Sequence, residues 1–387
     1  MSPLVQKIVS GVSEKEQAEA AVDELIFCFG EITPEAVLFF VSSHHDIKKI
    51  GNAISKQYQG VQVIGCTTAG EINGRGCLRH SLCGFALPID SFSVASTLFP
   101  NLSKFDMKHA RSQVTELFTD LSVRGVAPVT GHTFSFLLVD GLSGAEEVVL
   151  SAVHGEIGDM PLFGGSAGDD LEFSKTEIYH NGQVHVDAAT LCMINTTRPF
   201  KVFRTQHFVS SERKMVITEA DVATRKVIEI NGVSAGKEYA RLVGIQYDRL
   251  NPMTFAFHPV MVRVGGAYYV RSIQQLSEDD SLTFFCAIDE GIVLTVAEGI
   301  DLVENLSQTF ADICQHVGDP ELVIGCDCVF RRLEYTHDPD VVKRVEGLLK
   351  THNVIGFNTY GEQFGGMHVN QTFTGVAIGA VQPDGID

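Results

Sequence analysis

The sequence predicts a mixed α/β protein in which repeated strand–helix–strand units form mixed β-sheets, with helices packed on the outside. Apolar residues make up 44% of the 387 residues and charged residues 20%, a composition typical of a well-packed globular protein. Strand-like apolar runs alternate with helical patterns along the chain. One short polar turn follows such a unit three times, and internal repetition outweighs any single motif as evidence for a fold.

Each repeated unit has an apolar strand, a helical pattern and a second apolar strand. In the first unit the helical pattern places Ile47, Ile50 and Ile54 on one face. Two strands joined by a crossover helix usually lie parallel and adjacent in one sheet. The strand, helix and strand segments are 36–42, 46–58 and 61–65 in the first unit, 133–140, 145–158 and 160–165 in the second, and 320–330, 338–352 and 353–357 in the third.

The turn that ends each unit has the pattern [ST]-x-G-[DE], at 68–71, 166–169 and 359–362. Open α/β sheets bind ligands at the carboxyl ends of their strands, so we expect the three turns to meet and to form the polar rim of a pocket. The alternative, that the turns only end strands, remains open. The predicted pocket residues are Cys66, Thr67, Thr68, Gly70, Glu71, Ser166, Gly168, Asp169, Thr359, Tyr360, Gly361 and Glu362.

The segments between the units contain further strand patterns. The run "HNGQ" (180–183) predicts a hairpin turn, and residues 252–299 have the pattern of strands. A strand block changes to helix-like sequence near residues 218–240. We therefore predict an N-terminal helical segment at 1–24 and two domains, at 25–225 and 226–387.

Charge and cysteine usage limit the classes of partner. The formal net charge of −19 disfavours binding to nucleic acid or to anionic lipid, since both require clustered Lys and Arg. No apolar stretch approaches 18 residues, which predicts a soluble, cytoplasmic protein that does not enter membranes. The nine cysteines lie in apolar contexts that predict reduced core thiols.

Several strings resemble the signatures of the FIST sensory family, in which an N-terminal and a C-terminal FIST domain lie in tandem. They are "VIGCTTAGEI", "LFGGSAGDD", "RTQHF", "FCAIDEG" and "VIGFNTYGEQFGGMHVNQTFTGVAIG". The resemblance covers about residues 25–380 and implies a bacterial ligand sensor rather than an enzyme. Stand-alone members of this length resemble the nitric-oxide-sensing haemoproteins called NosP, which implies haem b, a partner histidine kinase and control of cyclic-di-GMP and biofilm signalling. A homodimer is compatible with this resemblance.

Haem requires an apolar slot and an axial ligand, most often a neutral imidazole. His207 in "RTQHFVS" and His258 in "FAFHPVMVRV" have Phe and Val neighbours, and His368 in "GGMHVNQTF" follows the third turn. We expect one of these three to be the axial ligand. Each could instead be a hydrogen-bonded core histidine, and the pair His44 and His45 is a fourth option.

Two other functions remain. A sensor without haem could bind a small polar molecule such as an amino acid through the Ser, Thr and carboxylate groups of the turns. A cysteine-dependent enzyme could use Cys66 as its nucleophile. The second and third units have Gly164 and Phe357 at the position that Cys66 occupies in the first unit. A nucleophilic cysteine therefore does not explain why the turn is repeated.

Overall fold

The computed structural model describes residues 5–381, and residues 1–4 and 382–387 lie outside the described residues. The mixed α/β class is as predicted. The chain contains three copies of one unit and an antiparallel sheet inserted into the third copy. Each copy has an edge strand, a helix, a strand, a second helix, a parallel strand, a short hairpin and a returning strand.

The first two units follow one another along the chain. The first consists of β1 (Val9–Ser13), α1 (Ala18–Phe29), β2 (Pro34–Ser42), α2 (Ile47–Gln57), β3 (Gln62–Thr68), β4 (Glu71–Asn73), β5 (Gly76–Leu78) and β6 (Leu82–Pro88). The second consists of β7 (Phe92–Pro100), α3 (Met107–Arg124), a short irregular turn α4 (Val129–His132), β8 (Thr133–Val139), α5 (Glu146–Ile157), β9 (Leu162–Ser166), β10 (Ile178–His180), β11 (Gln183–His185) and β12 (Ala188–Thr196).

The third unit begins with β13 (Phe200–Thr205) and is then interrupted. The inserted part consists of β14 (Phe208–Asp221), β15 (Lys226–Ile230), β16 (Val233–Ser234), α6 (Ala235–Val243), α7 (Pro252–Phe257), β17 (Val260–Val264), β18 (Ala267–Arg271), β19 (Ile273–Leu276), β20 (Leu282–Phe284) and β21 (Val293–Gly299). The unit resumes with α8 (Leu302–Val317), β22 (Pro320–Cys328), α9 (Val329–Tyr335), α10 (Pro339–Thr351), β23 (Val354–Thr359), β24 (Glu362–Phe364), β25 (Met367–Val369) and β26 (Phe373–Gly379).

The three units exchange their hairpins in a closed cycle. The hairpin of the first unit, β4–β5, pairs with β23 of the third. The hairpin of the second, β10–β11, pairs with β3 of the first, and the hairpin of the third, β24–β25, pairs with β9 of the second. Every six-stranded sheet therefore contains strands from two units, in the orders β1-β6-β2-β3-β10-β11, β7-β12-β8-β9-β24-β25 and β13-β26-β22-β23-β4-β5.

Local sequence explains where the predicted helices begin. Asp46 accepts a hydrogen bond from the Lys49 amide at the start of α2, and Asp338 accepts one from the Asp340 amide at the start of α10, so that free amide groups of the first turn are satisfied. Ile47, Ile50 and Ile54 of α2 are buried as predicted. The hairpin at 180–183 is also confirmed.

The inner faces of the three sheets share one apolar core. The ring of Phe40 stacks on that of Phe357 with centroids 4.5 Å apart and meets Phe136 edge-on at 6.3 Å, so each of the three sheets contributes one ring. The outer face of each sheet packs on helices of its own unit in separate clusters. The strands are buried on both faces, which accounts for their nearly continuous apolar sequences.

The structure differs from the sequence-based prediction at several places, including residues 226–230, which form β15 within the stretch predicted to be helix-like. Residues 9–13, predicted to be helical, form β1, because they complete a sheet edge by pairing with β6. Residues 252–257 are helix α7 and not a strand, since Asn251 caps a turn that has Pro252 at its first position. Cys28 is exposed although its apolar neighbours suggested a core position, whereas six of the nine unpaired cysteines are buried.

Two further predictions concern the chain as a whole. The predicted domain boundary at 225/226 falls between β14 and β15, which pair with each other, so both sides of it belong to the inserted sheet. Among residues 5–381, none of the helices is both long enough and apolar enough to span a bilayer.

Candidate functional site

The three [ST]-x-G-[DE] turns meet at the centre of the molecule and are joined by backbone hydrogen bonds. The Ala69 amide donates to the Asn358 carbonyl at 3.0 Å, and the Gly168 amide donates to the Thr67 carbonyl at 3.1 Å. The Ser166 amide donates to the Gly361 carbonyl at 2.7 Å. Each turn is thus bonded to both of the others. The prediction that tertiary structure brings the turns together is confirmed.

Two of the turns contain the same buried polar group. The Thr68 hydroxyl donates to Glu71, whose other carboxylate oxygen accepts from the amide and the hydroxyl of Ser81. In the third unit Thr359 donates to Glu362 in the same way, and Thr372 supplies the amide and hydroxyl. Burial raises the pKa of Glu71 to about 7 and that of Glu362 to about 8, despite these donors.

The second turn differs from the other two. Asp169 accepts hydrogen bonds from the amides of Phe173, Ser174 and Lys175 and therefore holds its own following loop. The Tyr360 hydroxyl, from the third turn, also donates to Asp169. The side chain of Asp169 is one methylene shorter than those of Glu71 and Glu362, and it has a different set of hydrogen-bond partners.

All twelve residues predicted to line the pocket are buried, and none of them lines any of the four cavities that the structure describes. Their polar atoms bond to one another and to adjacent loops. This arrangement gives the turns a structural role in joining the units, and their binding of a ligand stays a prediction. Burial also raises the pKa of the Cys66 thiol well above its ordinary value, which keeps it in the unreactive protonated form.

A cavity of about 450 Å³ lies between the inserted sheet and α9 of the third unit. This volume is within the range of about 300–1,000 Å³ found for small-molecule and cofactor sites. We call it the His258 cavity. Its lining residues are Phe208, Ile245, Asn251, Met253, Thr254, Phe257, His258, Gly299 and Glu334.

His258 is half-buried at the end of α7, and its ring nitrogens take part in no hydrogen bond among residues 5–381. Burial and the nearby charge of Arg213 lower its pKa. The imidazole is therefore kept neutral, the form that binds a metal. Apolar side chains on the cavity wall and an imidazole without a hydrogen-bond partner among the described residues are two of the features that a haem site requires.

The other two histidines named from the sequence are in different surroundings. His207 is fully buried, with Glu334 2.7 Å from Nε2 and Arg331 donating to Nδ1 at 2.8 Å, so both ring nitrogens are occupied. Burial lowers its pKa. His368 is 3% exposed, its Nδ1 has no partner among the described residues, and it lines none of the four cavities.

Sequence reasoning did not identify α9. Arg331 bonds to His207 and, at 2.7 Å, to Asp327, whereas the next residue, Arg332, donates to Ala69 and Asn358 in the ring of turns. Glu334 of the same helix lines the His258 cavity. The four-residue spacing of Asp327 and Arg331 was a usable signal for an ion pair, although Asp327 lies in strand β22 and only Arg331 lies in the helix. Glu334 had no such signal, because its partner is distant in sequence.

Comparison with known proteins gave two family matches and a relative. Residues 35–233 match the FIST N domain, and residues 235–365 match the FIST C domain. An uncharacterized protein of Methanocaldococcus jannaschii is 20% identical over 394 residues, covering 91% of this chain and 75% of that protein. The two domain matches meet at β16, inside the inserted sheet and a few residues after the predicted boundary.

Proposed function

This chain belongs to the FIST family, whose domains are general sensor domains for small ligands, and on this premise we propose that its ligand binds in the His258 cavity. The observation that carries the proposal is the combination of a cavity of about 450 Å³, largely apolar walls and an imidazole with no intramolecular partner among the described residues. Cavities of this kind, with a few polar groups at fixed positions, are typical ligand sites.

Helix α9 supports a sensing role for this cavity. Glu334 lines the cavity and contacts His207, and Arg332, two residues earlier, contacts the turns that join all three units. A ligand that displaces Glu334 would act on the helix that is bonded to the centre of the protein. We propose that ligand binding is transmitted through α9.

The finer proposal is that the ligand is haem b, with His258 as its axial ligand and nitric oxide as the signal. When bound, haem supplies the iron at which nitric oxide binds. The chain's own contribution would be a neutral imidazole, apolar walls from Phe208, Met253 and Phe257, and Glu334 as the acidic residue of the lining.

Absorption spectroscopy of protein expressed with a haem precursor tests this proposal. We expect a Soret band that shifts on addition of nitric oxide and a pyridine haemochrome that accounts for one haem per chain. His258→Ala is expected to abolish haem retention. His368→Ala is the matched control and should keep the wild-type spectrum, because that side chain lines none of the described cavities.

A second variant separates the cavity from the cofactor. Met253→Trp leaves His258 in place and fills the cavity, so it should also prevent ligand binding. If no variant or wild-type sample contains haem, a panel of amino acids is tested by thermal shift, since a bound ligand stabilises the folded protein. If an amino acid stabilises the wild type and Met253→Trp removes this stabilisation, the cavity is the ligand site but haem is not its ligand. If haem binding is unchanged in both His258→Ala and Met253→Trp, the proposal that haem binds in the His258 cavity is refuted.

The downstream partner is proposed from the resemblance to NosP alone. We propose that the protein regulates a histidine kinase and through it cyclic-di-GMP and biofilm signalling. Autophosphorylation of a candidate kinase should change on addition of this protein and change again with nitric oxide. Kinase activity that responds to neither addition would refute regulation of the kinase, but it would not contradict the proposed ligand site.

A further inference from the structure

A cluster of two histidines and one aspartate lies on loops of the first and second units. His44 follows β2, His80 precedes β6, and Asp170 follows the second turn. One ligating atom from each residue lies within 4.8 Å of the other two. The imidazole rings of His44 and His80 are in contact, with centroids 3.7 Å apart and planes tilted by 39°.

One distance within the cluster matches that between two ligands of a metal ion. Zinc binds imidazole nitrogen at about 2.0–2.1 Å and carboxylate oxygen at about 2.0–2.2 Å, which places two ligands of a tetrahedral ion roughly 3.4 Å apart. His44 Nδ1 and Asp170 Oδ2 are 3.5 Å apart. His80 is exposed, so rotation of its side chain can bring its nitrogen to the same distance.

The surrounding residues hold these groups in position. The Ser42 hydroxyl is buried and lies 3.2 Å from His44 Nδ1 and 3.3 Å from Asp170 Oδ2. Both contacts are to the atoms that would ligate the ion, so they hold the two side chains next to each other before an ion binds and would be replaced when it binds. The three amide bonds to Asp169 fix the loop that begins with Asp170.

The backbone at two of the three positions is unusual. His80 has φ 56° and Asp170 has φ 57°, in the left-handed region that few non-glycine residues adopt. Conformations of this kind persist where the surrounding structure enforces them, and they cluster at binding sites. Here they direct two side chains from separate loops toward His44.

We propose that His44, His80 and Asp170 bind a divalent transition-metal ion of the zinc class. Two imidazoles and one carboxylate select zinc, iron(II) or cobalt(II) over magnesium and calcium, which prefer oxygen ligands only. His44 is 48% exposed, so the ion keeps open positions for water or for an oxygen of a small ligand. The site is built from the first two units and is independent of the His258 cavity.

The test measures metal binding by full-length protein without a histidine tag, first treated with a chelator. Titration calorimetry should show one saturable Zn²⁺ site per chain, and Co²⁺ in its place should give visible absorption bands that report its ligands. His44→Ala, Asp170→Asn and His80→Asn should each weaken Zn²⁺ binding at least 10-fold, since even the loss of an outer contact has effects of about 10–100-fold. Asparagine is chosen at position 80 because it tolerates a left-handed backbone.

His316→Ala is the matched control, since this exposed histidine of α8 lies outside the cluster; its affinity for Zn²⁺ should equal that of the wild type. Thermal melting of each variant establishes that it is folded. Absence of saturable Zn²⁺ binding by the wild type, or affinity unchanged in the folded cluster variants, would overturn the proposal.

Discussion

The buried carboxyl of Glu362 makes the stability of this protein depend on pH. Burial raises the pKa of Glu362 to about 8 from its ordinary value of 4.5. In the unfolded chain the group loses its proton near pH 4.5, whereas in the folded protein it keeps the proton to about pH 8. The contribution of Glu362 to stability is therefore fully present below pH 4.5, falls as pH rises, and is lost above about pH 8.

The size of this effect follows from proton linkage. Each pH unit between the two pKa values costs about 1.4 kcal/mol of unfolding free energy. Between pH 6 and 8, Glu362 should thus account for a loss of roughly 2–3 kcal/mol, a large share of the about 5–15 kcal/mol that stabilises most domains. Glu362→Gln imitates the protonated carboxyl, because its amide can donate to Thr359 while its oxygen accepts from Thr372.

Urea unfolding of the wild type and Glu362→Gln at several pH values between 6 and 8 measures the effect. The variant should gain roughly 2–3 kcal/mol relative to the wild type over this interval. Buried His207 and half-buried His258 titrate with the opposite sign, since their pKa values are lowered, and their contributions cancel in the difference between wild type and variant. Glu212→Gln, at an exposed position, is the control. A wild-type-to-variant difference that is constant with pH would refute the reasoning.

Two further predictions test the packing. Gly51→Ala should destabilise the protein by about 1–3 kcal/mol, because a Cβ there would clash with the ring of Tyr179 on the exchanged hairpin β10. Gly347→Ala, with open space at its helical position, should stabilise the protein by about 0.5–1 kcal/mol. Urea unfolding midpoints measure both effects, and equal effects of the two substitutions would contradict the close contact. A thiol reagent added to the native protein should label exposed Cys28 and leave Cys66 unlabelled until urea is added, since burial raises the pKa of Cys66. Mass spectrometry of the labelled peptides measures this, and rapid labelling of Cys66 in the native protein would support the enzyme hypothesis.

The exchange of hairpins explains why the repeat is preserved as three similar turns. Each turn connects the second parallel strand of one unit to a hairpin that completes the sheet of another unit. The buried Glu71 and Glu362 hold the segment that returns from the hairpin, through Ser81 and Thr372. A Ser or Thr, a glycine and an acid are the residue types that this connection requires.

The sequence by itself determined the local structure. Periodic apolar residues predicted the helices, and the repeated turn predicted the threefold unit and its meeting point. These features depend on residues within a few positions of one another, so the sequence alone is sufficient to predict them.

Only the tertiary structure decided what those residues contact. In the folded protein the turns are buried and both ring nitrogens of His207 are hydrogen-bonded, whereas His258 lies beside a cavity formed by segments from Phe208 to Glu334. The tertiary structure also brought His44, His80 and Asp170 together from three loops. The physical reason is that burial and hydrogen-bond partners arise from contacts between distant parts of the chain, which no local pattern of residue types records.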